Sequence, residues 1–321
     1  MKKYFLLVIK IIISIILLAY LFSIIPVTEV VSSIKSAEIY LVLIGFILAA
    51  PISYLSALET QYLTKIQGMS LSVFEILKIH LVTSFYGLFL PGTLSGGAVK
   101  WYKFSKYGNK FSAAAVVVFN RFLEVLIILL IGIIFSIPAL FVANEEKLIF
   151  LLVLVFILLV VIYFALLNRK IINTTKRIIF IIPLPGYLKG KVENFTDAML
   201  QFQKMNLKDH LEILGLLFFY HGLGVLSFFC FAISVNIDLS IWIIGWIRSA
   251  MSIALMLPVS FAGLGIREGS LVFLFSKYGV LPDVAMALSL LFFSRNLLAS
   301  LIGGVIEFKE IILSKRLGVK R

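Results

Sequence analysis

Long apolar runs constrain this chain more than any other feature. Six of them are long enough to cross a bilayer, because a helix rising ~1.5 Å per residue needs ~20 residues to span a core of ~30 Å. They lie at about 4–25, 39–62, 112–138, 148–167, 210–235 and 284–308. Hydrophobic residues make up 61% of the 321 residues, more than one soluble core could bury. We therefore predict an all-α, polytopic membrane protein, with residues 1–321 forming a single integral membrane domain.

The first run follows a short basic start, Met1-Lys2-Lys3, as in a signal peptide. It is ~22 residues long, however, which is enough to cross a bilayer. No small-residue cleavage site closes it, since Ile24-Ile25-Pro26-Val27 follows. We expect the segment to be retained as the first span.

The positions of the basic residues predict the orientation. With the N-terminus inside, most of the 29 Lys and Arg residues lie in cytoplasmic segments, and only Lys35, Lys147 and Lys277 lie outside. This bias predicts a multi-pass protein of a bacterial-type inner (cell) membrane with both termini in the cytoplasm. The net charge of +13 sits between apolar runs, where anionic lipid headgroups would meet it. Membrane lipids, and not nucleic acid, are therefore the expected partners.

Two further apolar stretches, at about 73–110 and 241–282, are broken by proline and glycine. Broken backbone at membrane depth is tolerated only where protein or a polar cavity surrounds it. Each stretch therefore predicts a re-entrant hairpin, although two extra full spans would give the same sidedness. Glycine would let backbone approach a ligand closely in these hairpins. The candidate cavity-lining residues are Pro91, Gly92, Gly96, Gly97, Pro258, Gly263, Gly265 and Gly269.

The two broken stretches resemble each other. Both contain Leu-Pro, a glycine cluster, a cation and the string Phe-Ser-Lys-Tyr-Gly, in the same order. Each half would hold three spans and a hairpin, so the second half would insert upside down, as in many transporters. We predict an inverted repeat, with halves at about 1–140 and 148–310. The alternative is a duplication with a purely structural role. A cytoplasmic loop at 168–209 would contain a short amphipathic helix, either on the inner leaflet or as a connector.

Several ionisable residues fall inside predicted spans or hairpins. Arg121 and Arg295 would lie ~14 and ~17 Å deep, where a cation costs at least ~2.5 kcal/mol unless it faces a partner or a wet cavity. One hypothesis is internal ion pairs that hold the repeats together. The other is a cationic site for a phosphate-bearing headgroup, which the planar arginine fork suits. The predicted headgroup site comprises Lys100, Arg121, Glu124, Arg267, Glu268 and Arg295.

Other polar residues carry weaker predictions. His80 and His210 are expected at membrane edges, and His221 is expected to form a packing hydrogen bond more readily than a proton relay. Arg248 is either a third cavity cation or an outer-leaflet anchor. The sequence contains no Walker loop, G-x-S-x-G elbow, H-E-x-x-H motif or cluster of acidic metal ligands. We therefore predict no catalytic residue, no metal and no cofactor.

Three motifs together resemble those of a known family. They are LPG…GGAVK at 90–100, the Asn-Arg step at 120–121, and GLGIREG at 263–269. The chain resembles the membrane region of lysylphosphatidylglycerol synthases, also called the flippase-like domain family, over nearly its whole length. The family often has Asp where this chain has Asn120, and an acidic residue near Lys100 where this chain has Trp101.

The resemblance implies a helical domain that handles lipid, associated in the full-length synthases with moving aminoacylated phosphatidylglycerol between leaflets. The leading hypothesis is a transporter of an anionic phospholipid or lipid-linked headgroup. The runner-up is an accessory that presents lipid to an envelope glycosyltransferase or aminoacyltransferase. A third hypothesis is a lipid-modifying enzyme. The chain ends soon after its last span, so we expect no aminoacyltransferase activity. No pattern predicts the oligomeric state.

Overall fold

The computed structural model describes most of the chain. The described residues are 2–89, 95–137, 146–181, 185–256 and 260–316. All regular structure in these ranges is helical, with no strand among them, which confirms the all-α prediction. Pro91, Gly92 and Pro258 of the predicted hairpins lie outside the described residues.

The helices are numbered here in chain order. They are α1 (Lys2–Ile24), α2 (Val27–Lys35), α3 (Ile39–Ile47), α4 (Ala49–Ile66), α5 (Val73–Phe89), α6 (Ser95–Phe104), α7 (Lys110–Ser136), α8 (Glu146–Leu167), α9 (Arg169–Ile181), α10 (Gly186–Leu200), α11 (Leu207–Ser234), α12 (Ile241–Ala254), α13 (Ile266–Ser276) and α14 (Pro282–Arg316). A 3-10 turn, Gln201–Lys204, joins α10 to α11.

Five segments are long and apolar enough to cross a membrane, which confirms the polytopic prediction. They are Ile39–Ile66, Lys110–Ser136, Ile149–Leu167, Leu207–Ser234 and Pro282–Leu313. A sixth would be the pair Ile11–Ile24 and Val27–Lys35, which bend by 82° relative to each other. The bend falls at Pro26, whose extended backbone (φ −61°, ψ 127°) and missing N–H end the first helix.

The two broken stretches form short helices. Helices α5 and α6 contain 17 and 10 residues, and α12 and α13 contain 14 and 11. Three of the four are too short to cross a ~30 Å core alone. Neither broken stretch forms a single long helix within the described residues.

Local hydrogen bonds fix where several helices begin. The Asn109 side chain accepts from the N–H of Phe111 at the start of α7 (2.8 Å). Asn206 and Asp209 form a reciprocal capping box at the start of α11. Helix α13 starts differently, because Gly265 adopts a φ of +80° that favours glycine. The Gly265 N–H donates to the Glu268 carboxylate (2.8 Å), so Glu268 caps α13.

The hairpin of each predicted half packs against a helix of the other half. Helix α5 of the first hairpin packs against α14, and α12 of the second hairpin packs against α7. Both crossings depend on glycine: a Cβ at Gly303 would collide with the Leu81 carbonyl, and one at Gly245 would collide with the Phe135 ring. Each hairpin therefore packs on the third span of the other half.

Two hydrophobic clusters meet along α11. One joins its C-terminal half to α2, α12, α13 and the start of α14, and the other joins its N-terminal half to α4, α5 and α7. The segment after α9 completes the second cluster, since Met199 and Phe202 are buried and Phe202 stacks on Phe119 (centroids 4.2 Å apart). The apolar stripe predicted for this segment thus packs against protein.

Candidate functional site

A polar cavity of about 280 Å³ lies among helices α4, α5, α6, α7, α11 and α14. Helices of both predicted halves contribute to its wall. Its ionisable and amide side chains are His80, Lys100, Glu124, Tyr220, Arg295 and Asn296. Three residues of the predicted headgroup site, Lys100, Glu124 and Arg295, therefore line one space.

Arg295 is held in the cavity by neutral partners. Its Nη1 donates to the Ser227 hydroxyl of α11 (3.0 Å), and its Nη2 donates to the Asn296 amide oxygen (3.5 Å). Its guanidinium lies over the Phe292 ring, 4.7 Å from the centroid. Among the residues that the structure describes, no carboxylate forms an ion pair with Arg295. The guanidinium is thus fixed in place while its charge is left uncompensated.

Lys100 reaches the cavity from α6 and is also held by a neutral group. Its Nζ donates to Asn120 Oδ1 (2.8 Å), and Asn120 Nδ2 donates to Glu59 Oε2 (2.8 Å). Asn120 therefore lies between a cation and a carboxylate. The amide bridges the two charges, which make no direct ion pair.

Arg121 occupies the edge of the same site. Its Nη1 lies 3.1 Å from Glu124 Oε2, one turn along α7, and about half of its side chain is exposed (54%). Glu124 faces the cavity while Arg121 extends from it. The charges of this pair cancel within one helix, so the pair does not link the two predicted halves.

Arg248, whose location the sequence leaves open, lies inside the protein. It is 8% exposed on α12 and packs so closely on Gly224 of α11 that a Cβ there would collide with its guanidinium. It interacts electrostatically with Tyr220 and Arg295. Arg248 is therefore an interior cation behind Arg295 and not an outer-leaflet anchor.

The charges around the cavity do not balance. Four cations, Lys100, Arg121, Arg248 and Arg295, are accompanied by two carboxylates, Glu59 and Glu124, within the described part of the chain. Excess charge at low dielectric is costly unless a counter-charge is present. The site is thus electrostatically suited to an anion.

The second predicted pair, Arg267 and Glu268, lies elsewhere. Both are buried (3% and 1% exposed) and form an ion pair within α13, and the Ser289 hydroxyl of α14 contacts both. The Arg267 guanidinium also lies over the Phe293 ring (4.3 Å). Neither residue lines the cavity. The structure does not bring this pair together with the other four predicted residues.

The described hairpin glycines have different environments. A Cβ at Gly96 would press on the Thr83 methyl group (3.3 Å), whereas one at Gly97 would make an ordinary contact. Gly263 and Gly265 have φ of +77° and +80°, which other residues rarely adopt. A Cβ at Gly269 would meet nothing within 4 Å. Backbone conformation thus requires glycine chiefly in the second hairpin.

Two interior groups escaped the sequence predictions. Glu59 is 1% exposed in the span Ile39–Ile66, and its position inside an apolar run was the signal available. Lys103, expected in a cytoplasmic segment, is buried in an ion pair with Glu307 of α14. That pair ties the first hairpin to the last span.

Comparison with known proteins agrees with this architecture. A family model described as the lysylphosphatidylglycerol synthase transmembrane (TM) region matches residues 7–304. The chain belongs to this family. The match covers both hairpins and every cavity-lining residue. The suspected resemblance is thereby confirmed, and the protein is a multi-pass membrane protein related to lipid modification.

Comparison with curated proteins and with solved structures returns no match.

Proposed function

We propose that this member of the lysylphosphatidylglycerol synthase TM-region family binds the phosphate of an anionic lipid headgroup in the cavity and moves the lipid between leaflets. The excess of cations over carboxylates around the cavity is the observation that carries the proposal. Arg295 and Lys100 are held by hydroxyl and amide groups, which position them without neutralising them. A phosphate would supply the missing negative charge.

The chemistry of the two cations suits this ligand. The planar guanidinium of Arg295 donates two parallel hydrogen bonds to phosphate oxygens, and the ammonium of Lys100 adds a mobile donor. Low dielectric strengthens both interactions relative to water. A zwitterionic lipid would bring its own cation into a site that is already positive. We therefore expect preference for phosphatidylglycerol over phosphatidylcholine.

An inverted repeat would give the cavity access to both leaflets in turn. The reciprocal packing of α5 on α14 and of α12 on α7 supports this part of the proposal. Gly303 follows Gly132 by the same number of residues that separates the two Phe-Ser-Lys-Tyr-Gly strings, and both glycines lie at these helix crossings. In that register Arg295 corresponds to Glu124, so the two halves would contribute opposite charges to one cavity.

The charge distribution supports an inner-membrane orientation with cytoplasmic termini. Helix α9 begins with Arg169 and Lys170 and continues with Lys176 and Arg177, in the segment predicted to face the cytoplasm. Basic residues there would meet the anionic inner leaflet. This surface would raise the local concentration of anionic lipid next to the protein.

Leaflet exchange in proteoliposomes tests the proposed function. Labelled phosphatidylglycerol and phosphatidylcholine would be compared for wild type, Lys100→Met/Arg295→Met, and Lys208→Met as a control that removes an exposed cation (side chain 79% exposed). We expect faster exchange of phosphatidylglycerol, loss in the double variant, and retention in the control. Equal rates for the double variant and wild type would refute the role of the cavity.

A different outcome would favour the accessory hypothesis. If folded wild-type protein moves neither lipid, transport fails as a function, and co-purification with an envelope transferase would be the next experiment. Mass spectrometry of the same lipids tests chemistry directly. We expect unchanged lipid masses, and a mass shift would indicate an enzyme.

A further inference from the structure

Glu59 is a buried carboxyl group that headgroup binding itself does not use. It lies on α4, one turn beyond the cavity-lining Ser56, and is 1% exposed. Its Oε2 accepts from Asn120 Nδ2 (2.8 Å) and from the Thr60 hydroxyl (3.2 Å). Its Oε1 accepts from no residue in the described ranges. One carboxyl oxygen thus lacks a partner in the membrane interior.

Asn120 connects this carboxyl group to the cavity. Its amide oxygen accepts from Lys100 and its amide nitrogen donates to Glu59, so its orientation is fixed at both ends. The Lys100 ammonium is also the group that would meet a headgroup phosphate. A carboxylate with a bare oxygen is expensive in an apolar interior, and the nearby cation is what offsets that cost. Neutralising the Lys100 ammonium with another anion would therefore make Glu59 bind a proton more readily.

Headgroup binding would change this balance. Once a phosphate neutralises Lys100, the Glu59 carboxylate loses its offsetting charge, and forming an O–H bond with a proton from cavity water removes the penalty. By linkage, a proton on Glu59 strengthens phosphate binding by the same factor. We propose that Glu59 is a proton-binding site coupled to the headgroup at Lys100, so that one proton accompanies each singly charged lipid anion.

The pairing would let a lipid anion cross the membrane without moving its charge through the membrane potential. A headgroup carrying one negative charge and one proton on Glu59 together add no net charge to the protein. The loaded protein would thus change conformation without moving that charge through the field. When the lipid leaves, the Lys100 ammonium again offsets the charge of a Glu59 carboxylate. The carboxyl oxygen would then release its proton to water. A proton gradient could therefore drive the lipid.

Lys100 is the cation that offsets the charge of Glu59, and the other charged groups nearby do not. Glu124 of α7 faces it but is paired with Arg121. Helix α5 contributes His80 and α11 contributes Tyr220, both at the cavity wall, and the buried His221 follows Tyr220 on α11. The remaining elements packed against α4 carry only Tyr40 on α3 and Lys204 on the 3-10 turn as ionisable groups, and both are exposed.

Calorimetry tests this inference, which rests on the proposed function. Short-chain phosphatidylglycerol would be titrated into purified protein in two buffers of different ionisation enthalpy, which gives protons taken up per lipid bound. We expect net proton uptake by wild type, approaching one proton per lipid at a pH where Glu59 is ionised in the lipid-free protein, and about none for Glu59→Gln. Glu212→Gln, which removes a carboxylate outside the cavity lining, is the control and should keep the uptake. Thermal unfolding would verify that each variant folds.

The outcomes separate the two proposals. Phosphatidylglycerol binding without proton uptake, or uptake that persists in Glu59→Gln, overturns the proton site and leaves lipid binding intact. Absence of phosphatidylglycerol binding by folded wild type overturns the proposed function and this inference together. In proteoliposomes, an imposed pH gradient should accelerate phosphatidylglycerol movement in wild type and have no effect on the rate measured for Glu59→Gln.

Discussion

Two groups of membrane-buried charges in this protein have opposite arrangements. Around the cavity, Lys100 and Arg295 have neutral partners, and their charges remain available. In α13, Arg267 and Glu268 neutralise each other and share the Ser289 hydroxyl. In the sequence, both Lys100 and Arg267 follow a Leu-Pro and a glycine cluster. The charge of Lys100 is available to a ligand, whereas the charge of Arg267 is neutralised within its own helix.

The difference teaches that balance, and not the number of cations, identifies an anion site. A buried ion pair with complete hydrogen bonding costs little to keep and much to break. A cation held by hydroxyl and amide groups costs more to bury, so its presence indicates a ligand that supplies the counter-charge. The charges of Arg267 and Glu268 in the GLGIREG motif cancel each other, so they point to a structural role and not to anion binding.

The largest expected effect on stability comes from breaking the buried ion pair of Arg267 and Glu268. Arg267→Met would leave Glu268 as an unpaired buried charge, which costs about 3–5 kcal/mol. We expect a steep fall in the free energy of unfolding, measured by denaturant titration in detergent micelles. Arg267→Met/Glu268→Gln should recover most of the loss, because no net charge remains and the glutamine oxygen still accepts from the Gly265 N–H. Equal destabilisation of the single and double variants would contradict the pairing.

Removing Arg295, whose hydrogen-bond partners are neutral, should lower the rate of lipid exchange more than the stability of the protein. Arg295→Met would delete a charged hydrogen-bond donor to phosphate, worth about 1.5–3 kcal/mol, or roughly tenfold to a hundredfold in the phosphatidylglycerol exchange rate. The exchange rate of Arg295→Lys should lie between those of wild type and Arg295→Met, because lysine keeps the charge but loses the two parallel donors of the guanidinium. The unfolding midpoint should stay near that of wild type. An Arg295→Met variant with a wild-type exchange rate would place the headgroup elsewhere.

A smaller effect should follow from displacing Arg248. Gly224→Ala would displace its guanidinium, because the added methyl group occupies the same space. We expect phosphatidylglycerol exchange to fall about threefold, as for a charge moved without being removed. Gly222→Ala on the same helix is the matched control, since a Cβ there meets nothing within 4 Å. Equal rates for the two variants would remove Arg248 from the site.

Arg121→Ala should have the smallest effect. The side chain is about half exposed (54%) and already paired with Glu124, so the pair contributes about 0.5 kcal/mol or less. We expect exchange rates within about twofold of wild type, and the same for Arg121→Lys. A loss as large as that of Arg295→Met would extend the binding site to the cavity edge.

Much of the fold was predictable because the bilayer restricts the choices. Apolar length predicted the spans, and proline and glycine predicted that the stretches at 73–110 and 241–282 are not single long helices. The 82° bend at Pro26 was not anticipated, because the apolar run before it is long enough to cross without bending. Likewise, the apolar stripe containing Met199 and Phe202 suits a membrane surface and a protein surface equally well. The sequence therefore does not predict which of the two it contacts.

The candidate site was predictable only in part. Mid-span position identified Arg121 and Arg295, but depth along a helix does not say which face a side chain occupies. The separation of Arg267 from the cavity, and the bridge from Lys100 through Asn120 to Glu59, depend on how α4, α6 and α7 cross. Such crossings arise from contacts between distant segments, which a single sequence does not reveal.

Photo-crosslinking of the headgroup tests the central claim most directly. Phosphatidylglycerol carrying a photoreactive group on its glycerol headgroup would be incorporated with the protein, and labelled peptides would be located by mass spectrometry. We predict labels on cavity-lining α4, α5 and α14 near Ser56, Thr83 and Ala299, lost in Lys100→Met/Arg295→Met and absent with an equivalent phosphatidylcholine probe. Labels concentrated on α13 beside Arg267, or equal labelling by both lipids, would contradict the account.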